Sequence, residues 1–372
     1  MIADEVRMRA YSGALRRAVH PDSTVLDIGA GTGILSLLAC QYGARKVYAV
    51  EPSSAIVIAE ETARANGFAD RIQCIQALST DITLPEKADV VVSDLYGVLP
   101  LFEQRLPSII DARRRLLAPG GNLIPKRDVL WAAVVEAPQH YDGLKKPWAR
   151  ERFELNMDAA SHVVTNLWKK ARVTPDQLLS KPCCWATIDH LTVESPDVLA
   201  EMKFQLVRPG TAHGFVLWFD SVLDEGIELS NAPGQPELIY GSAFFPLSSP
   251  VELAPDDTVA VHLRADFVSS DYVWSWETRV RGSDRVQPKA HFRQSTFFGN
   301  PVSPIQLRKW SGQYRAKLKE DGEIDLQILQ LMDGTRPNKE IAQLVMERFP
   351  ARFRSQRDAL TRIADLAERC SL

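Results

Sequence analysis

Asp94 and Glu103 stand nine positions apart in the stretch SDLYGVLPLFE, and no other charged residue separates them. Two acids on a loop that is otherwise apolar, glycine, tyrosine or proline need a chemical reason. Part of that reason is a second constellation upstream. VLDIGAGTGILSLLA places Gly29, Gly31 and Gly33 between a strand-like run and a helical one. Glycines there let a ligand approach backbone that a Cβ would obstruct, at the start of a helix. A dinucleotide fingerprint would need its third glycine at position 34, which is Ile34. G-x-G-x-G preceded by Asp27 suits S-adenosylmethionine better than a nicotinamide or flavin nucleotide. Eighteen residues past Gly33, Glu51 closes the next strand-like run, where an acid can accept from both ribose hydroxyls.

The elements that must position these residues are readable from periodicity. Residues 22–125 alternate short apolar runs (TVLDI, KVYAVE, RIQCIQA, ADVVVSD) with helical patterns ending at Gly43 and Gly67. That rhythm predicts a parallel sheet with helices on both faces. Residues 126–300 change character. Val259, Val261, Leu263 and Ala265 alternate with more polar neighbours, and turns rich in Pro, Gly and Asp separate the runs, which predicts an antiparallel barrel or sandwich. The stretch 151–180 reads as a helical insertion. In the tail, YRAKLKEDGEIDLQ reads as a hairpin turning at Asp321-Gly322. Two or three helices follow it, the first burying Ile341, Leu344, Val345 and Phe349 and the second Leu360, Ile363 and Leu366.

On these residues the chain resembles the protein arginine methyltransferases. VLDIGAGTGILSLLACQYGARKVYAVEPS is similar to their cofactor motif, MIADEVRMRAY to their first helix, and ADVVVSDLYGVLPLFE to their double-acid loop, over roughly residues 1–285. The resemblance implies an α/β fold: a Rossmann-like S-adenosyl-L-methionine domain (1–125), then an antiparallel β-barrel domain (126–300) whose arm (151–180) forms a head-to-tail homodimer. It places Asp4 and Arg7 at the methionine carboxylate of the cofactor. A free carboxylate in a closed site suits the planar guanidinium fork. Asp27, Gly29, Gly31, Gly33, Glu51, Ser79 and Thr80 complete the cofactor site. Asp94 and Glu103 become the catalytic acids, with Tyr96 and Tyr240 at the substrate.

The two acids then acquire their reason. A guanidinium has a pKa above about 12 and arrives charged. It must meet a second cation, the sulfonium. Two fixed carboxylates offset that repulsion and grip the planar fork.

The sequence departs from the family in three places. The family has Glu at both ends of the loop, and Asp94 is shorter by one methylene. The histidine and tryptophan of the family's closing loop fall on Ile239 and Tyr240, and His291 is read as structural. The family's N-terminal aromatic helix has no counterpart before Met1. The tail, 307–372, resembles the winged-helix peptide chaperones of ribosomal natural-product pathways, which bind a precursor's leader peptide by strand addition. Besides arginine methylation of a peptide or protein, two readings stay open: methylation of another residue of a natural-product peptide, or a cofactor-binding scaffold without turnover.

Composition limits the rest. A formal net charge of −3 argues against an electrostatic grip on nucleic acid or an anionic membrane. The tail's 13 Lys/Arg against 10 Asp/Glu are too mild to argue for DNA. No apolar run approaches about 18 residues, and the N-terminus lacks the apolar core of a signal peptide. The five cysteines show no CxxC spacing, consistent with reduced thiols in a cytoplasm and no metal centre.

Overall fold

The computed structural model describes residues 1–149, 154–282 and 287–371. The chain divides into two compact units, Met1–Pro301 and Val302–Leu372.

The first unit opens with α1 (Glu5–Ala18). The Asp4 side chain caps it by accepting from the Arg7 N–H at 3.0 Å, and Arg16 and Arg17 lie in its last turn, opposite the helix dipole. Strands β1 (Thr24–Ile28), β2 (Lys46–Val50), β3 (Ile72–Ile75), β4 (Ala88–Ser93) and β5 (Leu117–Ile124) form a parallel sheet in the order β3-β2-β1-β4-β5. Helices α2 (Ile34–Gln41), α3 (Ala55–Ala65) and α4 (Arg105–Arg115) connect them. All five residues of β1 are buried, as expected of a central strand covered on both faces. The expected βαβ rhythm is observed. The strand order reverses between β1 and β4, and ligand crevices in open parallel sheets form at such a reversal.

The chain then builds two antiparallel sheets. The larger holds β6 (Arg127–Val135), β7 (Lys169–Ala171), β8 (Cys183–Asp189), β10 (Gly210–Asp224) and β12 (Ser242–Leu253), in the order β7-β12-β10-β6-β8, with β11 (Ile227–Ser230) on β10. The smaller holds β9 (Val198–Phe204), β13 (Thr258–Val268), β14 (Asp271–Arg281) and β15 (Ala290–Ser295), in the order β15-β14-β13-β9. Burial alternates along β13 and β14, the predicted period of two. Phe245 of the larger sheet lies 5.1 Å from Phe215 and meets Trp274 and Trp276 of the smaller sheet edge-on at 5.4 and 5.1 Å. Aromatic contacts thus join the sheets into a sandwich. Its core runs on into that of the parallel sheet, through Tyr11, Leu15, Val92 and Leu106.

The insertion differs from expectation. The stretch Pro138–Lys145 is helix α5, ahead of the predicted arm. Within 151–180 the described helix is α6 (Asp158–Thr165), followed by the edge strand β7. Residues 151–153, where the predicted arm begins, lie outside the described residues.

The second unit overturns the winged-helix reading. The first unit closes with the short helix α7 (Thr296–Gly299), and the second consists of α8 (Pro304–Trp310), α9 (Glu320–Leu331), α10 (Asn338–Arg348) and α11 (Gln356–Cys370), with no strand among its described residues. The predicted turn Asp321-Gly322 lies in the first turn of α9. Glu320, Asp321 and Glu323 occupy that turn, where the helix dipole favours acids. Arg352 and Arg362 pair with Glu320, Asp321 and Asp325. Ile324 and Ile328, four apart, are fully buried with Ile341, Val345 and Ile363. These contacts outweigh the ~1 kcal/mol that a helical glycine costs. Leu344, expected on the buried face, is exposed.

Candidate active site

Register alone assembles the site. Ile28 of β1 pairs with Val50 of β2 and with Ser93 of β4, and Val50 pairs with Ile75 of β3. The next residue on each strand therefore emerges at one edge of the sheet: Gly29, Glu51, Gln76 and Asp94. The glycine loop, the ribose-type acid and the first acid of the paired loop are neighbours because three strands end together.

The glycine loop is shaped by left-handed backbone. Gly29, Gly31 and Gly33 have φ of +74°, +54° and +84°. A Cβ on Gly29 would meet Leu95 at 2.2 Å, and one on Gly33 would meet the Ala59 Cβ at 2.9 Å. Glu51 is held in place rather than left loose. Its carboxylate accepts from Gly31 N at 3.0 Å and from Ser53 N at 2.9 Å. Asp27 lies buried near the end of β1, where one oxygen accepts from the Ser36 hydroxyl at 2.7 Å and the other has no hydrogen-bond partner among the described residues. Burial pushes its carboxyl up to about 6, against the opposing hydrogen bond from Ser36.

A cleft of about 230 Å³ opens here, lined by Gly29, Glu51, Ser79, Leu95, Phe102 and Glu103 among others. The Ser79 hydroxyl is buried and has no hydrogen-bond partner among the described residues. Thr80 is exposed, turned to Asp81 at 3.1 Å, and does not line the cleft. Glu103 has a positive φ of +41°, a strained setting for a non-glycine residue. It is exposed, and its carboxylate makes no hydrogen bond or ion pair among the described residues. Its N–H donates to Asp271 at 3.3 Å.

Asp94 is in different company. It is buried and ion-paired with Arg7, whose side chain is also buried. The Tyr240 hydroxyl donates to Asp94 Oδ1 at 2.7 Å and accepts from Arg7 Nε at 3.1 Å. Burial raises the Tyr240 pKa far above its ordinary value, so the phenol keeps its proton. Asp4 ties the same corner by accepting from Ile239 N at 2.8 Å. Thus Asp4, Arg7, Asp94 and Tyr240 form one cluster, while Glu51, Ser79 and Glu103 share the cleft.

Tyr96 is placed beneath the loop. Its hydroxyl donates to Asp128 Oδ1 at 2.6 Å and lies 2.7 Å from Ser221 Oγ, and its ring stacks on Phe219. Its polar end is therefore satisfied inside the protein rather than free for a substrate. Asp128 also accepts from Arg105 Nη2 at 2.9 Å and lies 3.0 Å from His190 Nε2. Burial opposes ionisation of Asp128, but Arg105 and then His190 outweigh it and hold the carboxyl well below its usual range. The sequence reading missed this network. Its signals were available: Arg105 follows Glu103 by two residues, and Asp128 interrupts an apolar strand.

A doubly wound sheet whose glycine loop and ribose-type acid meet at the strand-order reversal defines a nucleotide-cofactor-binding fold. Residues 12–124 match the family model described as ribosomal protein L11 methyltransferase, and residues 126–310 match the arginine methyltransferase oligomerization subdomain. Protein arginine N-methyltransferase 6 of Danio rerio is 33% identical over 276 residues, 70% of this chain and 78% of that relative. Probable protein arginine N-methyltransferase 6 of Arabidopsis thaliana is 32% identical over 229 residues, 59% of this chain and 52% of the relative. The chain thus spans about half of that relative's length, and 61% of protein arginine N-methyltransferase 2 of Mus musculus. Among solved structures, Arabidopsis thaliana protein arginine methyltransferase 10 superposes with a TM-score of 0.69 at 24% identity, covering 79% of this chain and 95% of that one. A chain of the Trypanosoma brucei PRMT1 enzyme-prozyme heterotetrameric complex with AdoHcy gives 0.72 at 23% identity, with coverage of 79% and 95%. These two likenesses establish the fold. The chain belongs to the protein arginine N-methyltransferase family.

Proposed function

We propose that the chain transfers a methyl group from S-adenosyl-L-methionine to an arginine guanidinium of a peptide or protein. The observation that carries the reading is the shared carboxyl edge of the sheet, which sets Gly29, Glu51 and Asp94 side by side with Glu103 in the adjoining cleft.

The residues present fit an adenosyl cofactor. Glu51 is fixed by two backbone donors and keeps lone pairs for ribose hydroxyls, Ser79 Oγ is a buried atom in want of a partner among the described residues, and Gly29, Gly31 and Gly33 present bare backbone to the cleft side of the turn. When bound, the cofactor supplies an electrophilic methyl on a positively charged sulfur. The chain's acids do the rest. Asp94 and Glu103 bind and orient a cation that keeps its proton at neutral pH. A guanidinium that gains a methyl group returns to a stable monocation only by releasing one proton, and Glu103, exposed and unpaired among the described residues, is the base placed to receive it. For Asp94 to hold substrate, its carboxylate must be shared with Arg7 or released by it. Tyr240, bonded to both, holds Asp94 in position. Tyr96 supports the loop from below through Asp128.

Self-association, which in the simplest case is a homodimer, draws support from the description of the family model matched by residues 126–310 as an oligomerization subdomain. No helix among the described residues is long and apolar enough to cross a membrane, and no group of His, Cys, Asp or Glu among them could hold a metal ion.

The test is Glu103→Gln. The isosteric amide keeps the loop but removes the charge and the base. Incubation with labelled cofactor and an arginine peptide, read by mass spectrometry, should show loss of transfer with cofactor affinity nearly unchanged. Near-native turnover by the variant would remove the guanidinium role.

A further inference from the structure

The hairpin between β13 and β14 reaches the acid loop at its tip. Asp271 accepts from the Glu103 N–H, and the Ser269 carbonyl accepts from Gln104 Nε2 at 3.4 Å. From there the two strands run away from the loop, and every second residue faces outward. Register sets His262 opposite Glu277, with Glu201 and Arg293 flanking them. The next outward row pairs Ala260 with Arg279, flanked by Lys203 and His291, and the row after that pairs Thr258 with Arg281. The small Ala260 side chain leaves a depression between longer ones. A cavity of about 460 Å³ opens there, walled by Lys203, His262, Arg279 and Arg281.

This cavity has surplus positive charge. Glu277 is already shared among His291 at 2.6 Å, Arg279 at 2.6 Å and Arg293 at 3.5 Å. Lys203 and Arg281 form no ion pair among the described residues. Among the described residues their charge has no counter-charge.

We propose that this sheet face is a docking site for an acidic segment of the same peptide or protein whose arginine enters the acid loop. The arginine half of this statement rests on the proposed function. The strand supplies the ruler: Arg279 and Arg281 lie eight and ten residues beyond Asp271 along β14. At ~3.3 Å per residue that is about 26–33 Å, so an extended substrate places its acids roughly eight to ten positions from the methylated arginine. Glu201 and Glu277 on the same face repel a continuous phosphate backbone, whereas single carboxylates can settle between them. This favours a peptide over nucleic acid.

The experiment uses the full chain and fluorescein-labelled peptides with one arginine. One set has three acids eight to ten positions away on either side, and the control has Asn and Gln there. Anisotropy at low ionic strength should show the acidic peptide binding about tenfold tighter, an advantage lost at ~0.5 M salt. It should also vanish in Lys203→Glu/Arg281→Glu, while that variant binds the control peptide and cofactor as before. No advantage for the acidic peptide, with the control still methylated, overturns the docking site and leaves the proposed function intact. The same gain from acids two or three positions away overturns it as well. So does an oligonucleotide that binds with the same dependence on Lys203 and Arg281. An acidic-flank advantage in binding with no methylation of either peptide would instead count against the activity and keep the docking site.

Discussion

Asp128 is the acceptor on which the packing beneath the acid loop depends, and its removal gives the sharpest test of the structure. Its carboxylate meets Tyr96, Arg105 and His190, and the Arg105 and Asp128 side chains are both fully buried. In Asp128→Ala the Arg105 guanidinium stays buried without a counter-charge, stacked 4.2 Å from the centre of the Tyr96 ring. Breaking such a pair from one side costs about 3–5 kcal/mol. The Tyr96 hydroxyl keeps Ser221 and adds less than about 1 kcal/mol. The expected loss is therefore about 4 kcal/mol, a large share of the roughly 5–15 kcal/mol that stabilises a typical domain. Urea melts followed by tryptophan fluorescence would measure it, as a lower midpoint at unchanged slope. Asp128→Ala combined with Arg105→Met removes the stranded cation and should recover more than half of the loss. A cost below about 1 kcal/mol for the single variant, or a double variant no better than the single, would refute the assignment of this network as a buried ion pair holding the loop.

Three further outcomes follow from the same geometry. The folded carboxyl of Asp27 titrates near 6, above the unfolded value of about 3.9. The native state therefore keeps a proton that the unfolded chain has lost between about pH 4 and 6, and the stability it lends is complete below pH ~4 and gone above pH ~6. Asp27→Asn should accordingly gain on the wild type by about 1.4 kcal/mol as pH rises from 5 to 7.5, the window that spans about one unit below the folded value, and parallel stability curves would contradict the burial argument. Tyr240→Phe removes the donor to Asp94 and the acceptor for Arg7 Nε, at a cost of about 1–3 kcal/mol, and should speed hydrogen exchange in residues 4–10, whereas unchanged protection would show the cluster to be idle. Gly33→Ala places a Cβ 2.9 Å from that of Ala59, while the same change at Gly31 meets nothing within 4 Å. Both variants suffer the ~1–2 kcal/mol left-handed penalty, so the Gly33 variant must be the less stable in thermal melts, and the reverse order would discredit the close approach.

Local chemistry explains why so much of the site was legible. Gly29, Gly31 and Gly33 adopt positive φ, which side chains resist, so the residue type itself announces the turn. Glu51 follows a strand of ordinary length at the distance a βαβ unit imposes. Asp94 and Glu103 stand out because their loop has no other charge. The tail was misread for a related reason. Asp-Gly is a strong local turn signal, but here Arg352 and Arg362, about thirty to forty residues away, pair with the acids of that turn, and the Ile324–Ile328 stripe is buried by α10 and α11. Long-range burial overrode a local preference worth ~1 kcal/mol.

Thus the sequence by itself determined the parallel sheet, the sandwich, the glycine turn and the acids, because each depends on residue type and on spacing within about twenty positions. Only the tertiary structure decided the company they keep. It set Arg7 and Tyr240 on Asp94 rather than leaving that acid open, joined Arg105, Asp128 and His190 beneath Tyr96, and aligned the cation-bearing rows of β13 and β14 with the acid loop. The physical reason is that an ion pair or a cross-strand row depends on distance in space, and residues 7, 94 and 240 share no period along the chain from which their meeting could be read.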